Sequence, residues 1–566
     1  PAYASPADLD LATKIRRAKR SVYLGAHENE TAAACTFFVP QAPALATWGD
    51  ARAFDGTQSV VQPLTAATDD AKTTDEILAS FLDDFHSEPS AHDLVRAWWR
   101  SLHANDFDAS WREALRKGVV ANSAFSTKAT RVDWSTLTKA LSAEPLPSSP
   151  AGNVEIALRE DARVRDGAST NNPWLLELPD PVTKLTWENA ALISKTTAAK
   201  LSVTNGDVVS LKVGGFAVDA PVLIVQGQTD DSISLSFGYG KKSSESIADG
   251  IGVNAYALQR SDAPWGLEDL VVEKTARQVR LALAQTHFSI EGRADEIALH
   301  ATLADFRKSP DFAKPRNVEK KSLYVLPQRS PRQWGMVVDL AACTGCSACV
   351  VACQAENNIA VVGKAGVLKG REMHWMRIDR YVETEDDDAR PISEPMLCQH
   401  CEKAPCEYVC PTNATTHSSD GLNQMVYNRC VGTRFCSNNC PWKVRRFNWF
   451  DYDKDPDAAD PRVHNPDVTV RSRGVMEKCT YCVQRIRETE IQTKVEGREI
   501  RDHDVKTACE QACPSAAIVF GDIGNARTDV SEARRNPRLF AVLNDLGTVP
   551  HTRYLAKIEN PNEDLD

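Results

Sequence analysis

Cys343-Thr-Gly-Cys346-Ser-Ala-Cys349-Val-Val-Ala-Cys353 packs four cysteines into eleven residues. A loop at that spacing wraps one corner of an iron–sulfur cube with several thiolates and sends another to a neighbouring cluster. Three further runs follow it. Cys398-x2-Cys401-x4-Cys406-x3-Cys410 ends on Pro411, and Cys430-x5-Cys436-x3-Cys440 ends on Pro441. Cys479-x2-Cys482 is completed, after a long gap, by Cys509-x3-Cys513 and Pro514. Fifteen of the 16 cysteines fall in these runs. The cysteine–proline ending is the one by which two-cluster ferredoxins hand a thiolate to the other cluster. The four runs therefore read as a wire for electrons.

The third run is one cysteine short, because Thr433 stands where a full run has its second cysteine. A cube lacking one protein thiolate tends to lose that iron, so the sequence predicts three 4Fe-4S clusters and one 3Fe-4S cluster. Two competing readings fit the runs less well. Paired C-x2-C motifs also build four-cysteine zinc sites, but the crowded C-x2-C-x2-C-x3-C run suits a cube better than a single ion. Disulfide frameworks belong to small domains short of core, and C-x2-C spacing makes strained rings. Cys35, alone in Ala32-Ala-Ala-Cys-Thr-Phe-Phe38, is read as a buried structural thiol.

The 566 residues predict three or four domains. A composition of 42% hydrophobic and 25% charged residues is that of ordinary globular protein. The net charge of −11 disfavours nucleic acid as a partner. No run of 18 apolar residues marks a membrane span. Arg16-Arg17 is followed by Ala-Lys-Arg rather than an apolar stretch, so it is not a twin-arginine signal. With Pro1 first, the chain is expected to begin partway through a longer protein, any export signal lying upstream.

Residues 1–150 mix strands at 22–24 and 37–39, read as a buried sheet, with helices at 76–85 and 92–102, and close on a Pro-rich linker at 145–150. Residues 151–293 alternate like strands at 208–213 and 233–237 and read as a β-barrel. Residues 294–330 are a linker with a short helix at 296–306. Residues 331–525 form the cysteine domain, with hairpin strands at 374–381 and 444–450. Residues 526–566 read as a polar tail with a helical piece near 538–546. The acidic run 383–388 reads as a solvated loop.

Ala342–Cys349, Leu397–Cys406 and Cys440-Pro-Trp-Lys-Val-Arg-Arg-Phe-Asn448 resemble the four-cluster ferredoxin subunits of complex iron–sulfur molybdoenzymes, such as the polysulfide and dimethyl sulfoxide reductases. In the first half, Tyr23–Pro40, Trp48–Thr57, Val60–Leu64 and Asp93-Leu-Val-Arg look like the late part of a molybdopterin oxidoreductase catalytic chain. Asn172–Asp207 looks like its terminal barrel. Fusion in this order resembles the large iron–sulfur subunit of bacterial alternative complex III. The resemblance implies a multidomain α/β plus β-barrel chain followed by an α+β ferredoxin-like domain. It also implies an empty molybdopterin-like scaffold, with molybdopterin absent, and no catalytic residue on this chain.

In that family electrons come from a quinol site in a polytopic membrane subunit and leave through multihaem and mono-haem cytochrome c subunits, at the periplasmic face of the inner membrane. By its nested pattern the resemblance implies one 4Fe-4S set of Cys343, Cys346, Cys349 and Cys513. A second is Cys479, Cys482, Cys509 and Cys353, and a third is Cys398, Cys401, Cys406 and Cys440. The 3Fe-4S set is Cys430, Cys436 and Cys410, nearest the quinol. The alternative function is a fused molybdenum oxidoreductase acting on a sulfur or nitrogen compound. No molybdenum ligand is identified: His27, Glu28 and Glu30 read as a polar loop, and Asn172, Asn189 and Asp207 as turns or caps. Lys443, Arg445 and Arg446 follow Cys440 and read either as a solvated strand edge or as a basic surface that docks a membrane partner and raises the potential of the nearby cluster. His400, between two ligands, has the same two readings, structural or functional.

Overall fold

The computed structural model describes residues 2–66, 70–82, 89–102, 105–143, 153–242, 247–314, 329–383, 391–452 and 463–560. Two compact units divide the chain. One comprises Pro1–Asn153, Lys241–Gly250 and Tyr256–Pro264; the other comprises Val154–Gly240, Ile251–Ala255 and Trp265–Asp566.

In the first unit the strands Val22–Gly25 and Phe37–Pro40 pair in parallel. They do not form the buried sheet expected of them: Val22 and Phe37 are exposed. Two four-residue strands have no wide face to cover. The core lies elsewhere. The helices Ala91–Leu102 and Phe107–Lys117 pack Val95, Trp99, Phe107, Trp111 and Ala114 onto Val60 of the hairpin Gly49–Arg52/Gln58–Val61. The pairs Val95/Trp99 and Phe107/Trp111 are four apart and so share a helix face. Trp99 Nε1 donates to Asp50 Oδ2 at 2.8 Å, which satisfies the indole in that core. The helix expected at 76–85 is Thr74–Ala79, started by a capping box between Thr73 and Glu76. Residues 83–85 and the linker 145–150 lie outside the described residues.

The second unit opens with the region read as a barrel. Its strands form one seven-stranded mixed sheet in the order Gly266–Leu267, Glu155–Arg159, Ser232–Ser236, Ala191–Ile193, Phe216–Ile224, Asp207–Val213, Val271–Gln278. The two end strands are not paired with each other. Val271–Gln278 is an edge that carries Glu273, Lys274 and Arg277, charges of the kind that discourage further pairing.

The rest of the unit is organised by a four-stranded sheet in the order Ile518–Asp522, Trp334–Asp339, Thr552–Leu555, Leu539–Phe540. Trp334–Asp339 leads directly into the first cysteine run, and Ile518–Asp522 leaves directly from Cys513. Their antiparallel register, Trp334 opposite Asp522 through Val338 opposite Ile518, brings the two ends of the cysteine region together. Residues 526–566 are not a polar tail, since Thr552–Leu555 runs parallel to Trp334–Asp339 and is buried. Four residues are too short a run for their alternation to stand out in the sequence. The helical piece expected near 538–546 is the strand Leu539–Phe540 and a 3-10 turn, Asn544–Leu546. The helix expected at 296–306 begins only at Leu303 and is preceded by the strand His300–Thr302. The hairpin strands appear as Arg377–Tyr381 with Ile392–Met396 and as Arg446–Phe447 with Met476–Glu477. Of the acidic run, 384–388 lie outside the described residues.

Candidate iron–sulfur sites

Each of the four runs uses one local device. A cysteine occupies the second residue of a helix and another follows four residues later: Cys349 and Cys353 on Ala348–Glu356, Cys406 and Cys410 at Pro405–Tyr408, Cys436 and Cys440 at Phe435–Asn438, Cys509 and Cys513 at Ala508–Gln511. Residues four apart lie on one helix face, a turn apart along the axis. Every helix therefore offers one sulfur at its start and a second one turn further on. The fourth helix is fixed by a capping box between Thr507 and Glu510.

The loops around the helices repeat as well. Two residues after the first cysteine of each run the backbone is left-handed, at Gly345 (φ 70°), His400 (45°), Gly432 (74°) and Tyr481 (56°). Three residues after each cysteine–proline cysteine it is left-handed again, at Asn413, Lys443 and Ala516. This turn aims backbone donors at sulfur: Ala414 N–H reaches Cys410 Sγ at 3.2 Å and Ala517 N–H reaches Cys513 Sγ at 3.3 Å. The hydroxyls of Thr412 and Ser515 lie 3.7 Å from the same two sulfurs. Tyr481 N–H and Ala508 N–H face Cys479 and Cys482 at 3.5 and 3.4 Å.

The thiols meet in groups. Cys343 faces Cys346 and Cys513, and Cys349 faces those three and Cys509. Cys353 faces Cys479, Cys482 and Cys509. Cys401 faces Cys398, Cys406 and Cys440, while Cys436 faces Cys430 and Cys410. Cys479 also faces Cys398, so successive groups adjoin. Burial, then the neighbouring sulfurs, push Cys349, Cys353, Cys401 and Cys479 well above the usual thiol range. Burial lifts Cys406 to about 11 and Cys509 to about 12. Burial also acts on the half-buried Cys410, but hydrogen bonds from its own turn outweigh it and bring that thiol down.

No disulfide joins any of the sixteen cysteines, and Cys35 is half-buried rather than buried. Among the described residues no three cysteine sulfurs come within 4.8 Å of one another. The surroundings fit a group of net negative charge. Arg445 and Lys478 are both buried, and among the described residues neither has a carboxylate partner. His400 Nδ1 accepts from Asn423 N–H at 3.0 Å, which places the ring proton on Nε2, and Nε2 is buried with no partner among the described residues. Such atoms are costly in a dry core and natural beside sulfide and thiolate.

Two of the basic residues after Cys440 are not where the sequence suggested. Lys443 is exposed. Arg445 is buried, with Nη2 3.0 Å from Cys406 Sγ and 3.0 Å from Asn423 Oδ1, and Nη1 3.1 Å from Thr415 Oγ1. Arg446 pairs with Glu372 at 2.8 Å and donates to His374 O. Neither is a solvated edge or a docking surface, because each spends its donors inside the protein. Lys478 was missed by sequence reasoning, although a lysine directly before a C-x2-C pair was a visible signal.

The remaining residues are structural. Asn172 caps Pro173–Glu177, Asn189 ties Ser236 to Val253, and Asp207 pairs with Lys274 at 2.8 Å. His27 and Glu28 are exposed on the loop after Val22–Gly25, and Glu30 accepts from Lys242 N–H.

Two family profiles described as 4Fe-4S dicluster domain match residues 342–414 and 391–455. The menaquinone reductase, iron–sulfur cluster-binding subunit, of Nitratidesulfovibrio vulgaris is 42% identical over 237 residues, 40% of this chain and 90% of that protein. The Hdr-like menaquinol oxidoreductase iron–sulfur subunit 1 of Archaeoglobus fulgidus is 33% identical over 40% of this chain and 84% of its own length. The arsenate respiratory reductase iron–sulfur subunit ArrB of Shewanella sp. is 29% identical over 39% and 95%. Among solved structures, acetylene hydratase from Pelobacter acetylenicus superposes at a TM-score of 0.32 with 10% identity, covering 48% of this chain and 42% of that one, too slight a likeness to carry an argument. Through its last two-fifths, with several 4Fe-4S clusters implied by the two dicluster domains, the chain belongs to the family of iron–sulfur cluster-binding subunits of menaquinol oxidoreductase-type complexes.

Proposed function

We propose that this chain is the electron-transfer subunit of a membrane-associated quinol oxidoreductase of the alternative complex III type. Bound clusters would supply one-electron steps along a buried line; the chain's part is to hold them, insulate them and set their charge environment. The four sets are Cys343/346/349/513, Cys353/479/482/509, Cys398/401/406/440 and, with three ligands, Cys410/430/436. The observation that carries this reading is the shared backbone of the first and third runs. Gly345 and Ser347 bracket Cys346 at φ 70° and 63°, and Gly432 and Arg434 bracket Thr433 at 74° and 61°. Thr433 thus occupies a ligand's place with a side chain that holds iron poorly, which supports a 3Fe-4S cluster there.

The surface beside that third run suits a partner. Val431, Phe435, Trp449 and Phe450 are exposed, and Arg434 and Arg371 stack on Trp449 at 4.5 and 4.6 Å. A membrane quinol subunit docked here would meet the three-ligand set first, and cytochrome c subunits would take electrons from the far end. Quinol chemistry then belongs to the membrane subunit, the complex sits at the periplasmic face, and the molybdopterin-like first half serves as scaffold. Elemental analysis and electron paramagnetic resonance (EPR) of the purified complex test this. About fifteen irons per chain, the near-isotropic signal of an oxidised three-iron centre and no stoichiometric molybdenum are expected. One molybdenum per chain would favour the fused molybdenum oxidoreductase instead.

A further inference from the structure

Arg445 stands between two of the proposed sets. Its Nη2 touches Cys406 Sγ at 3.0 Å. It also faces Cys436 of the three-ligand set and Cys398 and Cys440 of the neighbouring one. Among the described residues its other side-chain hydrogen-bond partners are neutral: Asn423 Oδ1, Thr415 Oγ1 and, at 3.8 Å, Met425 Sδ. A buried guanidinium needs an anion near it. Among the described residues no carboxylate pairs with this one, so the cysteine sulfurs are its counter-charge.

We infer that Arg445 is the shared counterion of the two inner cysteine sets, so that one buried positive charge holds both at raised potential and ties the redox balance of each to the other. This rests on the cluster sets proposed above. The geometry explains the effect. A charge-assisted hydrogen bond to a ligating sulfur favours the more negative, reduced state. A cation lying between two sets in a low-dielectric core acts on both at once. The outer sets, built around Cys343 and Cys479, are not among the charges that principally face this residue.

The test is an EPR-monitored redox titration of the purified complex, with one electron per cluster supplied by dithionite. Arg445→Met keeps the bulk and removes the charge. At the potential that half-reduces each inner cluster in the wild type, the reduced-to-oxidised ratio is expected to fall at least tenfold, a downward shift of about 59 mV for a one-electron couple. The outer clusters are expected to change less than threefold. Arg445→Lys keeps the charge and is expected to recover most of the shift.

Loss of iron in Arg445→Met would leave the decision to Met425→Glu. That variant gives Arg445 a private carboxylate while keeping the guanidinium, and it should move both inner clusters in the same downward direction. Unmoved inner potentials in a variant with wild-type iron content overturn the inference and leave the cluster assignment standing. Absence of iron–sulfur signals from the wild type overturns both.

Discussion

The His400 imidazole lies flat on the Tyr481 ring, the centroids 3.8 Å apart and the planes 21° from parallel. Each residue is the second after the first cysteine of its run, and each has a left-handed backbone. The stack is therefore where two repeats of one loop meet, next to the facing pair Cys398 and Cys479. Burial, reinforced by the nearby Lys478 charge, keeps His400 neutral. Tyr481 Oη and Thr552 Oγ1 are 2.6 Å apart, and Thr552 in turn donates to Cys398 O at 3.2 Å. The strand Thr552–Leu555 thus pins the stack. Tyr481→Phe should cost about 1 kcal/mol, the worth of one hydrogen bond, with full iron content. Tyr481→Ala should cost about 3–5 kcal/mol and lower the iron recovered. Equal unfolding midpoints for the two variants would show that the stack stabilises nothing.

Thr433→Cys restores the missing sulfur on a backbone already shaped for it. Gly432 is held there both by its φ of +74° and by Gly474 O, which an added Cβ would approach to 2.7 Å. The loop therefore has little freedom to rearrange around the new side chain. The variant should lack the oxidised three-iron EPR signal proposed for the wild type, carry one more iron per chain and hold a cluster of lower potential. Persistence of the three-iron signal at wild-type intensity would mean that Thr433 is not what leaves the iron out.

The cysteine runs were legible because cluster loops need sulfur at fixed short intervals, and spacing survives in one dimension. The fate of Arg445 was not. Adjacency to Cys440 says that it is near a set, yet whether it points to solvent or to sulfur depends on the strand pairing Arg446 with Glu477 and Phe447 with Met476, which lies some thirty residues away. Lys443 and Arg445 look alike in sequence and end up exposed and buried. The strand Thr552–Leu555 was missed for a similar reason, since its burial comes from its neighbours Trp334–Asp339 and Leu539–Phe540 and not from its own pattern. Both Asn172 as a cap and the hairpin strand Arg377–Tyr381 were readable, because caps and alternating strands are local signals.

Glu177 predicts a pH dependence. It is 1% exposed and accepts from Val362 N–H, Gly363 N–H and Trp187 Nε1, joining the seven-stranded sheet region to the helix Gly363–Val367. Burial is the dominant influence and raises its carboxyl to about 7. A carboxyl raised above its unfolded value favours folding at low pH, and this stabilisation is lost as pH climbs from about 4.5 to about 7. The swing is roughly 3 kcal/mol. Glu177→Gln does not titrate, so wild type should lose ground to it between about pH 4.5 and 7 in thermal unfolding. A difference that stays flat across that window, or grows in the opposite sense, would rule this out.

Assembly should depend on the aromatic surface beside the third run rather than on the basic residues that follow Cys440. Phe435, Trp449 and Phe450 are exposed at 54%, 37% and 57%, and Val431 at 67%. Apolar groups gathered on one face of a charged protein mark a place where something else sits, and aromatics capped by arginine are common anchors at such places. Arg445 and Arg446, buried in their own contacts, have nothing to offer a partner. The double variant Phe435→Asp/Trp449→Asp should therefore strip the membrane quinol subunit proposed above from the purified complex while leaving iron content and EPR signals as in the wild type. Phe54→Asp, which changes a still more exposed aromatic remote in sequence from every cysteine run, should leave assembly intact. If the double variant retains its membrane partner and turns over quinol at the wild-type rate, the docking face lies elsewhere and the exposed aromatics are a feature of this chain alone.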